Sequence, residues 1–295
     1  MIVKMSSRLF ELRIDQFSDF HVHPDYSLDA KGSIDEYCQM ALKIGLKRIC
    51  FTTHYDTDPE RKEIDYFFRV DGEIVLLTPQ VVNRYLDDVK KAKKKYAPLG
   101  LEVLGGLEVD YAPHIEKNLR KELSNFELDY ILGAVHCMDH IAITSHLEAE
   151  KYFKRKTVKE LCKEYYQLIT QAAESGLFDC IAHLDGYRKY GLDFYGEEIM
   201  TAHRDFIEPA LSSLAKYNIG IEINTSAIRK GQKEFYPSKE ILNLCKDFGI
   251  KIVALGSDAH KVEDLGKDLK EAFSLAQEFV SKEKCRGGIY PARNP

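Results

Sequence analysis

The sequence predicts an α/β protein made of seven βα units, and three observations carry that expectation. Short apolar runs alternate with longer amphipathic stretches, seven of each, the pattern of parallel strands joined by helical crossovers. Glycine and proline are scattered as punctuation, with no internal repeat or low-complexity linker, so one continuous domain over residues 1–295 is expected. The length of 295 residues suits two ordinary domains or one α/β barrel, and composition alone does not choose between them.

The first strand is expected over Phe17 to Val22, followed by a helix over Ser33 to Ile44. Ser33 is placed as an N-cap with Glu36 three residues later, a capping box, and Gly45 stops the helix. Strand two, Arg48 to Thr52, leads to a helix over Pro79 to Tyr96 in which Val82, Leu86 and Val89 recur at helical spacing. Its lysines, Lys90, Lys91 and Lys93 to Lys95, spread around a solvated face and form no binding patch. Between strand and helix lies an insertion at about 56–78. There Tyr66 to Val70 and Glu73 to Leu77 flank Asp71-Gly72, a dipeptide favoured in tight hairpin turns. Later strands are expected at Leu101 to Leu107, Tyr130 to Val135, Cys180 to Ala182, Ile219 to Ile223 and Ile252 to Leu255, with helices near 114–123, 157–175, 198–216, 237–248 and 264–280.

At 44% hydrophobic and 30% charged, the chain is neither a disordered tail, a collagenous rod nor a disulfide miniprotein. A net charge of -5 lacks the cationic excess of a phosphate-backbone binder, so no nucleic-acid partner is expected. Seven cysteines, Cys285 among them, form no CxxC pair and suit reduced thiols in a cytoplasm. Met1 to Gln16 has no apolar run long enough for a signal peptide, and no stretch approaches the ~20 apolar residues that cross a bilayer. No export and no membrane partner are expected.

Chemistry gathers where the strands end. His21 and His23 close the first strand, and residues two apart in a strand share a face, so both imidazoles can address one spot. Asp258 and His260 repeat the spacing after the seventh strand, while His54, Glu108, His136 and His183 follow strands two to five. If strand exits occupy roughly a tenth of the chain, about one of its ten histidines should fall there by chance. Six do: His21, His23, His54, His136, His183 and His260. Imidazole and carboxylate without thiolate suit zinc, manganese or ferrous iron. So many ligands exceed one tetrahedral ion and call for two or three divalent transition-metal ions, with Glu108 as the natural bridge. Such a cluster is suited to hydrolysing a phosphate ester, and Arg188 and Arg229, in the loops leaving strands five and six, could hold its outer oxygens. Glu222 and Asn224 share one face of strand six and could orient ligands or the Arg229 loop.

These residues lie in the segments DFHVHPDYSLDAKGS, ICFTTHYD, GGLEVDYAP, YILGAVH, GLFDCIAHLDGYRKYG, GIEINTSAIRKG and YPSKEILNLCKDFGIKIVALGSDAH, which span Asp19 to Gly266 in order. In that order and spacing the chain resembles the polymerase and histidinol phosphatase (PHP) family, specifically its monofunctional histidinol-phosphatases. The resemblance implies a distorted (β/α)7 barrel. It also implies a trinuclear site, with His21, His23, Glu108 and Asp258 on one ion, Glu108, His136 and His183 on a second, and Asp29, His54 and His260 on a third. Asp29 comes from the resemblance alone; by itself it reads as a turn residue. Arg188 and Arg229 are implied as phosphate anchors. The sequence departs from the common pattern at Thr53, where an acidic residue often stands, and at Ala134, where serine is usual.

The expected activity is metal-dependent hydrolysis of a small phosphate ester, L-histidinol phosphate, in histidine biosynthesis. Glu108, Asp258 and His260 are the candidate catalytic residues, and the proton for the leaving group is open between Asp258, His260 and water. Other readings are a PHP phosphoesterase acting on another small metabolite or nucleotide, a polymerase-associated exonuclease and a non-catalytic metal-binding module. The loop from His140 to His146 reads as solvated, with either histidine able to touch substrate.

Overall fold

The computed structural model describes residues 14–279. Cys285, the expected helix end at residue 280 and most of the Met1 to Gln16 stretch lie outside the described residues. The strands, in chain order, are β1 Ser18–Val22, β2 Arg48–Tyr55, β3 Phe67–Val70, β4 Glu73–Leu76, β5 Glu102–Asp110, β6 Tyr130–Ala134, β7 Cys137–Met138, β8 Ile141–Ala142, β9 Cys180–Ile181, β10 Gly220–Asn224 and β11 Ile252–Gly256. Seven of them form one parallel sheet in the order β1-β2-β5-β6-β9-β10-β11. Every crossover moves one place along the sheet, which curls a twisted parallel sheet toward closure. Its two ends meet at the parallel bridge between Val22 and Ala259. The rest of the seam is tied by the buried Asp19 carboxylate, which accepts the backbone N–H groups of Ser257 at 2.9 Å and Gly266 at 3.0 Å. The outcome is a nearly closed (β/α)7 barrel.

Local rules explain the helices. Ser33 and Glu36 form the expected capping box of helix Ile34–Ile44, and Gly45 takes the left-handed C-cap at φ 83°. Thr157 and Glu160 cap Val158–Ser175 in the same way, and Pro79 opens Pro79–Tyr96 behind the Thr78 cap. Alternation along the strands divides the apolar residues in two. Ile49, Phe51, Val103, Val109, Ile181 and Ile221 pack outward under the helices, while Phe20, Cys50, Leu104, Leu132, Cys180 and Ala254 form a separate inner cluster.

The structure corrects several expected boundaries. Strands β2 and β5 run on to Tyr55 and Asp110 in unbroken register, so His54 and Glu108 are not after the strands but within them, paired directly opposite each other. Their polar side chains end the hydrophobic pattern before the ladder ends. The helix expected at 198–216 is two short 3-10 turns, Gly196–Met200 and Ala202–Asp205, and then helix Glu208–Tyr217. Pro209 is tolerated only in the first turn of a helix, so it sets that start. The sequence pattern missed helix Arg188–Tyr195 and the β7–β8 ribbon, which is two residues per strand and too short to show a period. Within the insertion, β3 and β4 pair as the expected hairpin, with Asp71 at φ 51° and Gly72 at φ 86°. No helix among the described residues is long and apolar enough to cross a membrane.

Candidate metal centre

The ends of the parallel strands deliver one buried carboxylate, Glu108, into a ring of imidazoles. Its Oε2 lies 3.2 Å from His21 Nε2, 3.4 Å from His23 Nε2 and 3.1 Å from His54 Nδ1. Its Oε1 lies 3.2 Å from His136 Nε2 and 3.0 Å from His183 Nε2. The two oxygens therefore face different histidine sets, the geometry of a bridging carboxylate. Asp258 Oδ1 stands 3.8 Å from His21 Nε2, 3.5 Å from His23 Nε2 and 3.3 Å from His260 Nδ1. Asp29 joins from its loop, 3.3 Å from His260 Nε2 and 3.9 Å from His54 Nε2. All nine residues expected as metal ligands thus meet at one end of the barrel.

Backbone conformation helps aim them. His183 and Asp258 both have positive φ, 25° and 52°, a region costly for side chains other than glycine's and kept only where the surroundings impose it. Glu222 on β10 accepts from His21 Nδ1 at 2.8 Å and from the backbone N–H of His183 at 3.2 Å. Asn224 donates to Glu222 at 3.1 Å, and Ser226 Oγ donates to Asp258 Oδ2 at 2.9 Å. Ser27 links His23 Nδ1 to Thr53, with oxygen to oxygen 2.9 Å, so Thr53 supports a ligand through its hydroxyl. Gly256 is required here, because a methyl group on it would overlap the Glu222 carboxylate and stand 2.5 Å from His21 Cβ.

The electrostatics call for positive charge. Burial by itself would raise Glu108 and Asp258, but the neighbouring imidazoles outweigh it and hold both carboxyls well below the usual range. Burial lowers His23 far below an ordinary histidine, aided by His260 and His54, which leaves it neutral and able to offer a lone pair. His54, despite burial, is pushed up to about 10 by Glu108 and Asp29, and His21 is raised well above its usual value by Glu222, Glu108 and Asp258. Divalent cations can take the place of those protons.

Divalent ions fit this site on one further observation. His21 Nε2, His23 Nε2, His54 Nδ1 and Glu108 Oε2, which face one another, are buried and make no hydrogen bond among the described residues. Such orphaned atoms are costly unless something else satisfies them, and a cluster of borderline imidazole nitrogens with a hard carboxylate oxygen suits zinc-class ions.

The two arginines part company. Arg229, in the short helix Ser226–Arg229, donates to the carbonyl of Ser257 and lines a cavity of about 430 Å³ with Lys189, Tyr190, Lys230, Asp258 and His260. Its Nη1 is buried without a hydrogen-bond partner among the described residues. Arg188 was expected in a loop, yet it is the first residue of helix Arg188–Tyr195 and only 1% exposed. It is held 2.7 Å from Asp185, donates to the Phe235 carbonyl at 2.8 Å and stacks over Tyr236 at 5.0 Å. It does not line the cavity. The carboxylate three residues earlier, Asp185, was the available signal. Lys189 and Lys230 were missed, since nothing in their spacing distinguishes them from surface lysines. Of the loop histidines, His146 is exposed and His140 pairs with Asp58 rather than with the Glu108 cluster.

The PHP domain model matches residues 19–226. The chain belongs to the PHP domain family. A protein of Deinococcus radiodurans named "probable histidinol-phosphatase" is 32% identical over 84% of this chain and 88% of its own. The histidinol-phosphatase of Lactococcus lactis is 23% identical, covering 82% and 83%. A crystal structure of histidinol phosphate phosphatase from that species, complexed with zinc, L-histidinol and phosphate, superposes with a TM-score of 0.67 at 20% identity over 90% of this chain and 94% of that one, a shared fold.

Proposed function

We propose that this protein is a metal-dependent phosphomonoesterase that hydrolyses L-histidinol phosphate to L-histidinol and phosphate. The observation that carries the reading is Glu108, whose two oxygens divide five imidazoles beside a cavity lined by cationic side chains. The names of the relatives in Deinococcus and Lactococcus support the substrate. We assign His21, His23, Glu108 and Asp258 to one ion, Glu108, His136 and His183 to a second, and Asp29, His54 and His260 to a third, with zinc the expected metal. Bound there, the ions would supply Lewis-acid activation of water and neutralise the phosphoryl oxygens.

The chain's own residues do the rest. Arg229 offers its free Nη1 to an outer phosphate oxygen, and Lys189 and Lys230 add positive charge at the mouth. Asp258 and His260 line the same cavity and are the groups that can take a proton from the attacking water and pass it to the departing alkoxide. Asn224 and Ser226 hold Asp258 Oδ2, which leaves Oδ1 toward the cluster. Arg188 acts at a distance, packing Asp185 and the 235–236 segment beneath the site. The buried free cysteines Cys38, Cys50, Cys137, Cys162, Cys180 and Cys245 support a reducing, cytoplasmic setting. A panel of phosphate esters tests the substrate: L-histidinol phosphate should give the highest kcat/KM, and a clear preference for a nucleotide or sugar phosphate would replace it.

A further inference from the structure

A second constellation of ligand atoms lies outside the Glu108 cluster, where three loops meet. Asp58 comes from the insertion after β2, His114 from the loop after β5 and His140 from the turn between β7 and β8. His140 Nδ1 is 2.5 Å from Asp58 Oδ2, and His114 Nε2 is 3.1 Å from Asp58 Oδ1. The two rings stand 5.0 Å apart, and one ligand atom from each residue lies within 4.8 Å of the other two.

We propose that Asp58, His114 and His140 form a further divalent-cation site, of the zinc class, that pins the insertion to the barrel rim. Two imidazoles and one carboxylate are a donor set for borderline cations, and three protein ligands leave a position for water. The site is built, not incidental. Asp58 is 8% exposed and fixed by its own N-cap bond from Glu60 N–H at 3.0 Å. His140 has φ 59° beside Asp139 at 48°, a left-handed pair, and Arg61 Nη1 holds the His140 carbonyl at 2.7 Å. That turn directs the imidazole onto Asp58 at a backbone cost the surroundings must offset. The Arg61 guanidinium beside the site is already neutralised by Asp65 and by Glu148 at 2.8 Å, so it does not oppose a cation. Both imidazoles are 44% exposed, which leaves the open side accessible to an ion. A metal there would cross-link residues 58, 114 and 140, closing long loops where such closure stabilises most.

The alternative is two neutral imidazoles donating to one carboxylate, and zinc stoichiometry separates the two. Metal-stripped protein titrated against a chromophoric zinc chelator should bind one equivalent more than the H114A/H140A double variant, while Glu108→Gln should keep that rim equivalent. This readout is independent of phosphatase activity. Crystals of the unaltered protein soaked in zinc should show an anomalous peak between Asp58, His114 and His140 at concentrations that fill the Glu108 cluster. Equal zinc uptake by the folded double variant overturns the proposal. If that variant does not fold, a bare rim in the soaked crystals overturns it alone.

Discussion

Glu108 is the side chain on which the proposed chemistry turns, because each of its oxygens addresses a different group of imidazoles. Glu108→Gln keeps the shape but replaces one anionic oxygen with a donor. Turnover should fall by more than about 100-fold, beyond what losing a partner that merely supports a ligand costs, with a matching loss of bound zinc by elemental analysis. The arginines make a paired test. Arg229→Ala removes a charge-assisted contact worth ~1.5–3 kcal/mol, so kcat/KM should drop about 10- to 100-fold with thermal stability little changed. Arg188→Ala instead strands the buried Asp185 carboxylate and should cost ~3–5 kcal/mol in urea unfolding. The opposite pattern, with Arg188→Ala stable and weak only in phosphate capture, would restore Arg188 as an anchor.

Among the elements, the hairpin of β3 and β4 reaches the loop that carries Asp29. Arg69 on β3 reaches across to the carbonyls of Asp25 at 3.3 Å, Ser27 at 3.2 Å and Ala30 at 3.0 Å, and also to that of Leu28. It thereby shapes the loop that carries Asp29. Arg69→Ala should weaken the last zinc to bind by about 10- to 100-fold while leaving the ions on Glu108 in place, as read by stepwise zinc titration. An unaltered titration would detach the hairpin from the site. The hairpin was legible from Asp71-Gly72 between apolar runs, and the Ser33 helix from its capping box. Arg69 was not, because it works on backbone carbonyls that no side-chain pattern records.

Across the whole molecule, the barrel brings side chains as far apart in sequence as His21 and Asp258 to within 3.8 Å of each other. The histidines were readable because parallel strands end at the same face and spacing by two keeps a side. Asp29 needed the family resemblance, since a turn aspartate has no periodic partner. Asp19 was invisible for another reason: it replaces missing ladder bonds between the first and last strands, a contact set by closure alone. Asp19→Ala leaves two backbone donors unpaired at the seam and should cost roughly 2–6 kcal/mol in urea unfolding, at ~1–3 kcal/mol per donor. No change would mean that the Val22 to Ala259 bridge closes the barrel unaided.

Phosphate release from L-histidinol phosphate by the metal-stripped protein, before and after zinc is returned, tests the metal cluster most directly. Turnover should be absent without metal and should rise with added zinc until the Glu108 cluster is filled. Full turnover in the stripped protein, or none after two to three equivalents per chain are bound, would contradict metal-dependent hydrolysis.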